Sequence, residues 1–182
     1  MPKFALSARR KEDDDMGVED HRSRAPKSVS FAVITVSDTR TDSDDLSGIS
    51  IIELMERAGH KLIRKAIVKD EVAEIQRVLR ELIEDSHIQV AIINGGTGVA
   101  KRDVTLEAIA HFEERPLPGF GEIFRALSYN EIGSAAMMSR ATAFVSEGKI
   151  VFCVPGSEKA ARLATEKLIV PEVGHLVWEA NR

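Results

Sequence analysis

The chain has 182 residues, with 25 basic against 29 acidic side chains for a net charge of −4, 43% apolar residues and a single cysteine. No apolar run approaches the ~20 residues of a membrane-spanning helix, one cysteine forms no intrachain bridge, and a mildly negative chain supplies no global field for a phosphate backbone. A membrane protein, a disulfide scaffold and a strongly basic nucleic-acid binder are thereby set aside, and any phosphate recognition has to come from local geometry. The start lacks the residue order of a secretory signal, so the expected compartment is the reducing cytoplasm.

Residues 1–27 carry 7 basic and 6 acidic side chains, with Asp13, Asp14 and Asp15 in a row. Ordering a residue costs ~1–2 kcal/mol of backbone entropy, and Phe4, Leu6, Met16 and Val18 are too few and too aperiodic to offset it. The expectation is a flexible charged tail ending near Pro26, or alternatively an arm that orders on a neighbouring subunit, followed by one compact domain over 28–182.

Within that domain, strand and helix patterns alternate. Val29–Val36 reads as a strand, and Leu46, Ile49, Ile52 and Met55 follow at helical spacing before Gly59. Leu62–Val68 is a second strand, and Val72, Ile75, Val78, Leu79, Leu82 and Ile83 share one helix face. Ile88–Asn94 is a third strand, then helices are expected over Asp103–Glu114 and Phe120–Glu131. A fourth strand, Ile150–Val154, leads to a helix over Glu158–Ile169 with Ser157 as its N-cap. The first, third and fourth strands are almost continuously apolar, as where helices cover both sheet faces. The pattern predicts a three-layer α/β/α sandwich with a mostly parallel central sheet and ligands beyond the carboxyl ends of its strands.

After the third strand comes Asn94-Gly95-Gly96-Thr97-Gly98-Val99-Ala100-Lys101-Arg102-Asp103. Three glycines in four positions let backbone N–H groups converge, and a following helix adds the positive end of its dipole, so the segment suits an anionic phosphate. It matches neither the Walker A spacing nor the dinucleotide pattern. The alternative is a tight strand-to-helix turn capped by Asp103 or Thr105. Asp70, just past the second strand, falls on the same sheet edge as Asp103 if the strands are parallel. Two carboxylates beside a polyphosphate imply a bridging Mg²⁺; otherwise both are unrelated helix caps. Pro155-Gly156-Ser157 is a further strand-to-helix turn, open to the same two readings. Leu117–Ser128 and Ser139-Arg140-Ala141 read as packing corners or anion contacts.

Other residues call for ordinary readings. Cys153 lies in an apolar strand and is expected in the core. His21, His60, His87, His111 and His175 share no metal-ligand spacing, and Phe120, Phe124, Phe144 and Phe152 are expected in core and interface. Trp178 packs either on the domain or on a second subunit.

In register, VITVSDTRT (33–41), DLSG (45–48), GGTGVAKRDVTLEA (95–108), GFGEIFRALSYNEIG (119–133), SRA (139–141) and VPGS (154–157) resemble the MoaB/MogA family of molybdenum cofactor biosynthesis proteins. The PGS turn looks like the MoaB branch. The resemblance covers the whole domain and implies an α/β/α fold that binds molybdopterin. It implies Mg²⁺-dependent transfer of AMP from ATP to the pterin's terminal phosphate, that is, molybdopterin adenylyltransferase activity, with a non-catalytic pterin-binding or carrier protein as the alternative. The family's essential aspartates fall on Asp70 and Asp103, which would also hold Mg²⁺. Its nucleotide and pterin contacts fall on Ser37, Gly95, Gly96, Thr97, Gly98, Ser139, Pro155, Gly156 and Ser157, with Arg102, Glu122 and Arg140 grouped beside them. It further implies a homotrimer or homohexamer, with neither nucleic acid nor membrane as partner.

Overall fold

The computed structural model describes residues 24–182. The expected tail lies outside the described residues except for its last four, of which Pro26 sets its carbonyl oxygen against Gly174.

The central sheet has six strands in the order β2-β1-β3-β6-β5-β4. These are β1 (Ser30–Val36), β2 (Lys61–Val68), β3 (Val90–Asn94), β4 (Arg115–Pro116), β5 (Thr142–Ser146) and β6 (Lys149–Val154). β2, β1, β3 and β6 are mutually parallel, whereas β5 and β4 add antiparallel. The four sequence-predicted strands are therefore the parallel four, and the sheet is larger by a hairpin and an edge. β5 escapes the pattern because its turn to β6 is Glu147-Gly148, with φ of 47° and 76°. Two-residue hairpin turns of this kind need φ > 0 at both positions and usually announce themselves with Asn-Gly or Asp-Gly. Pro116 suits β4 to the sheet edge, where a missing N–H does no harm.

Alternation along β1 builds both faces. Phe31 and Val33 join a core with Ile51, Met55, Phe124, Phe152 and Val173. Ala32, Ile34 and Val36 join the opposite core with Ile75, Leu79, Ile93, Val151 and Cys153. The first face is covered by α1 (Leu46–Arg57), α4 (Pro118–Ile132), α5 (Glu158–Ala164) and α6 (Val170–Ala180), and the second by α2 (Val72–Glu84) and α3 (Thr105–Ile109). This is the three-layer α/β/α sandwich. Cys153 is a buried core residue whose thiol is pushed up by desolvation. Phe124, Phe144 and Phe152 are buried and Phe120 packs on Phe152 with 5.2 Å between ring centres. Among the described residues no helix is long and apolar enough to cross a membrane.

Two helices differ from the sequence pattern. The helix expected over Asp103–Glu114 shrinks to Thr105–Ile109 plus a 3₁₀ turn at Ala110–Phe112. Thr105 N and Oγ1 donate to Gly96 O and Gly95 O at 3.1 and 2.9 Å, which keeps the preceding residues in the loop. The helix expected to end at Ile169 instead passes through a π-helical turn at Thr165–Ile169 and continues as α6 to Ala180. Pro171 lacks an N–H and its ring crowds the preceding turn, and the wider π turn accommodates this without ending the helix.

Candidate functional site

The loops beyond the carboxyl ends of β1, β2, β3 and β6 enclose a cleft of about 430 Å³. Parallel pairing puts these ends together, with Thr35 opposite Asn94 and Asn94 opposite Val154. Ser37, Asp70, Gly95, Gly96, Thr97, Gly98, Arg102, Asp103, Ser139, Pro155 and Gly156, all named from the sequence, line this one space.

The glycines are sterically required at two positions. Gly95 has φ +104° and Gly96 φ +60°, both in the region that side chains disfavour. A Cβ on Gly96 would also collide with Thr105 Oγ1 and stand 2.9 Å from Asp70 Oδ1. The loop is drawn against β6 by Gly95 N donating to Val154 O at 3.1 Å, and Gly156 packs so closely that a Cβ there would lie 3.0 Å from Gly95 Cα.

Neither aspartate is a helix cap. The residue before α2 is Glu71 and that before α3 is Val104, and no side-chain cap is made at either. The capping alternatives for Asp70, Asp103 and Thr105 are thereby overturned. Asp103 instead closes the glycine loop, its Oδ2 accepting from Ala100 N at 2.8 Å. Among the described residues, Asp70 Oδ1 is buried with no hydrogen-bond partner. Burial first, then the neighbouring Asp38 and Asp103 charges, raise the Asp70 carboxyl above its ordinary value, with Arg102 opposing them. A buried acceptor without a donor is costly, and the two acidic neighbours beside it leave a local demand for a cation. Among the described residues no three His, Cys, Asp or Glu side chains gather closely enough to hold a metal on their own.

Four of the named residues sit elsewhere. Arg140 lies behind the glycine loop and braces it, its Nε donating to Gly98 O at 2.8 Å and its Nη2 to Asp103 O at 2.9 Å while Nη1 pairs with Glu107 at 2.5 Å. Glu122 lies with Arg125 and Arg140 in a separate cavity of about 360 Å³. Ser157 turns from the cleft to cap α5, accepting from Ala160 N at 3.4 Å. Lys101 lies on the outer side of the loop, beside Val99 and Glu107.

Asp38, Arg40 and Asn94 also line the cleft and were not singled out from the sequence. Asp38 accepts from Asp70 N at 3.2 Å. The available signal was position: Asp38 and Arg40 immediately follow the end of β1, on the same sheet edge as the glycine loop.

Residues 32–175 match a family described as "Probable molybdopterin binding domain". The chain is 51% identical to the molybdenum cofactor biosynthesis protein B of Bacillus subtilis over 168 residues, which is 92% of this chain and 99% of that protein. The structure of a tungsten cofactor synthesizing protein MoaB from Pyrococcus furiosus superposes with a TM-score of 0.79 at 38% identity, covering 87% of this chain and 100% of that one. A crystallised molybdenum cofactor biosynthesis protein B gives 0.84 at 46% identity, over 87% and 99% of the two chains.

Proposed function

The chain belongs to the molybdopterin-binding MoaB/MogA family of molybdenum cofactor biosynthesis, and on that premise we propose that it is a molybdopterin adenylyltransferase. The substrates are ATP and molybdopterin, and the products are adenylylated molybdopterin and pyrophosphate. The observation that carries this reading is Asp70 Oδ1, buried and without a partner among the described residues, beside Asp38 and Asp103 at the mouth of the glycine loop.

The residues fit Mg²⁺: hard oxygen donors are present, but too few for a complete protein cage, and Mg²⁺ is commonly held by one or two carboxylates plus substrate phosphates. Asp70 and Asp103 would hold it, and when bound it would offset the charge that builds on the phosphates during an in-line displacement. The glycine loop supplies a close, side-chain-free wall on which a polyphosphate chain can lie, and Arg102 contributes a fixed positive charge opposite the carboxylates. A pterin-phosphate oxygen attacks the α-phosphorus, the bond to the bridging oxygen breaks, and pyrophosphate leaves. Arg140 acts on this only through the loop it braces. We place the reaction in the cytoplasm and expect a homotrimer or homohexamer, supported by the exposed apolar side chains of Tyr129, Ile132 and Met137.

The test is adenylyl transfer itself, with purified protein, molybdopterin, Mg²⁺ and α-labelled ATP. Label should move onto the pterin in the wild type, and Asp103→Asn should lower the rate by about 100-fold or more, the scale on which misplaced or missing electrostatic groups act. Pterin binding without AMP transfer would instead assign the protein a binding or carrier role.

A further inference from the structure

We propose that Arg40 is a positioning residue of the cleft: its guanidinium latches the loop after β1 to the turn after β6 and so sets the width between the two walls flanking the glycine loop. The kinetic part of this proposal rests on the adenylyl-transfer reading; the latch itself does not.

Arg40 lies four residues past the end of β1, and Gly156 two residues past the end of β6, on separate loops. Arg40 Nη2 donates to Gly156 O at 3.0 Å and Nη1 to Ser47 Oγ at 2.6 Å, while Nη1 stands 3.5 Å from Asp45 Oδ1. The anchor beneath is rigid. Asp45 is wholly buried; its Oδ1 accepts from Gly48 N at 2.9 Å, its Oδ2 accepts from Thr35 Oγ1 at 2.8 Å, and Lys65 Nζ is 3.3 Å away. Ser47 Oγ donates onward to Asn94 Oδ1 at 2.8 Å, and Asn94 Nδ2 donates to Thr35 Oγ1 at 2.9 Å. A polar network thus joins the ends of β1 and β3 beneath the cleft, and Arg40 is the arm of it that reaches across to the β6 turn.

Neutralising Asp45 does not require Arg40, because Lys65 already pairs with it and α1's first turn donates to it. What Arg40 adds is the span. A planar guanidinium holds acceptors on two sides in fixed geometry, whereas an ammonium on a flexible stem is a point charge. Gly156 in turn rests on Gly95, so movement of the β6 turn is movement of the glycine loop.

The experiment compares wild type, Arg40→Ala and Arg40→Lys by adenylyl transfer, thermal melting and amide hydrogen exchange. Arg40→Ala is expected to lower kcat by about 100-fold, the scale of small displacements at a reacting centre, with a melting temperature close to wild type. Segment 155–161 should exchange faster while segment 61–68 does not. Arg40→Lys should recover little of the rate, and methylguanidinium, but not methylammonium, should restore Arg40→Ala. Near-wild-type turnover in Arg40→Ala or full turnover in Arg40→Lys would overturn the positioning role, and unchanged exchange in 155–161 would overturn the latch itself. If the wild type transfers no AMP, the adenylyl-transfer reading fails, and the exchange measurement still decides on the latch.

Discussion

At the amino-terminal end of the parallel strands, Lys149 donates from Nζ to Leu82 O at 3.4 Å, to Ile88 O at 2.9 Å and to Asp85 O. At the carboxyl end, Asp70 Oδ1 is buried with no donor among the described residues. Burial acts on both groups, lowering the Lys149 ammonium and raising the Asp70 carboxyl. Around Lys149 the fold answers with three carbonyl oxygens and the charges of Asp85 and Glu147; around Asp70 it adds two like charges, which Arg102 only partly opposes. One end of the sheet is closed for stability and the other is left electrostatically unfinished, which is the expected signature of a place where a ligand completes the structure.

Substituting the unfinished end should therefore cost activity and spare the fold. Asp70→Asn is expected to lower adenylyl transfer by about 100-fold or more while melting no lower than wild type at pH 7. The sign follows from linkage. A carboxyl raised in the folded state binds its proton more tightly than in the unfolded chain, so its contribution is most favourable below the ordinary value near 3.8 and is lost as pH rises through the raised folded value. At neutral pH the ionised Asp70 opposes folding. The melting advantage of Asp70→Asn should accordingly shrink as pH falls towards 4, and a variant that melts well below wild type at pH 7 would break the comparison from this side.

At the finished end the expectation reverses. Lys149→Met takes the shared donor from the part-buried carbonyls of Leu82, Asp85 and Ile88, of which Asp85 O keeps Ile88 N, at a cost of about 1 kcal/mol. Urea denaturation reads this as a lower midpoint at constant slope. Turnover per folded molecule should hold, since Lys149 lies at the opposite end of the sheet from the cleft.

The two ends were not equally legible in the sequence. The parallel strands declare themselves because burial on both faces forces near-continuous apolar runs, and the glycine loop declares itself because only glycine tolerates the backbone at Gly95 and Gly96. What stayed hidden was long-range or turn-specific. Glu147 adopts φ 47° inside a tight hairpin and gives no Asn-Gly signal, so β5 went unseen. Nothing local in Asp45-Leu46-Ser47-Gly48 indicates that Asp45 meets Lys65 from β2, or that Arg40 reaches Gly156 across 116 positions of chain. Pro171 suggests a helix end, and the π turn before it is a tertiary accommodation. Side-chain direction is also unreadable: Pro155-Gly156-Ser157 is a single turn in the sequence, yet Pro155 and Gly156 face the cleft while Ser157 faces the helix.

That division of one turn sets the smallest expected effect. Ser157 Oγ accepts from Ala160 N at 3.4 Å, a long bond for an N-cap. Ser157→Ala should therefore cost about 0.5–1 kcal/mol, the lower part of the range for losing a serine cap, and Ser157→Gly only a few tenths. The ordering matters more than either size. A cap role ranks Ser above Gly above Ala in denaturation midpoint, because glycine exposes the helix end to water while alanine obstructs it. Equal midpoints for Gly and Ala would deny the cap and return Ser157 to the cleft wall, dissolving the distinction between the part of this turn that holds the fold and the part that faces the ligand.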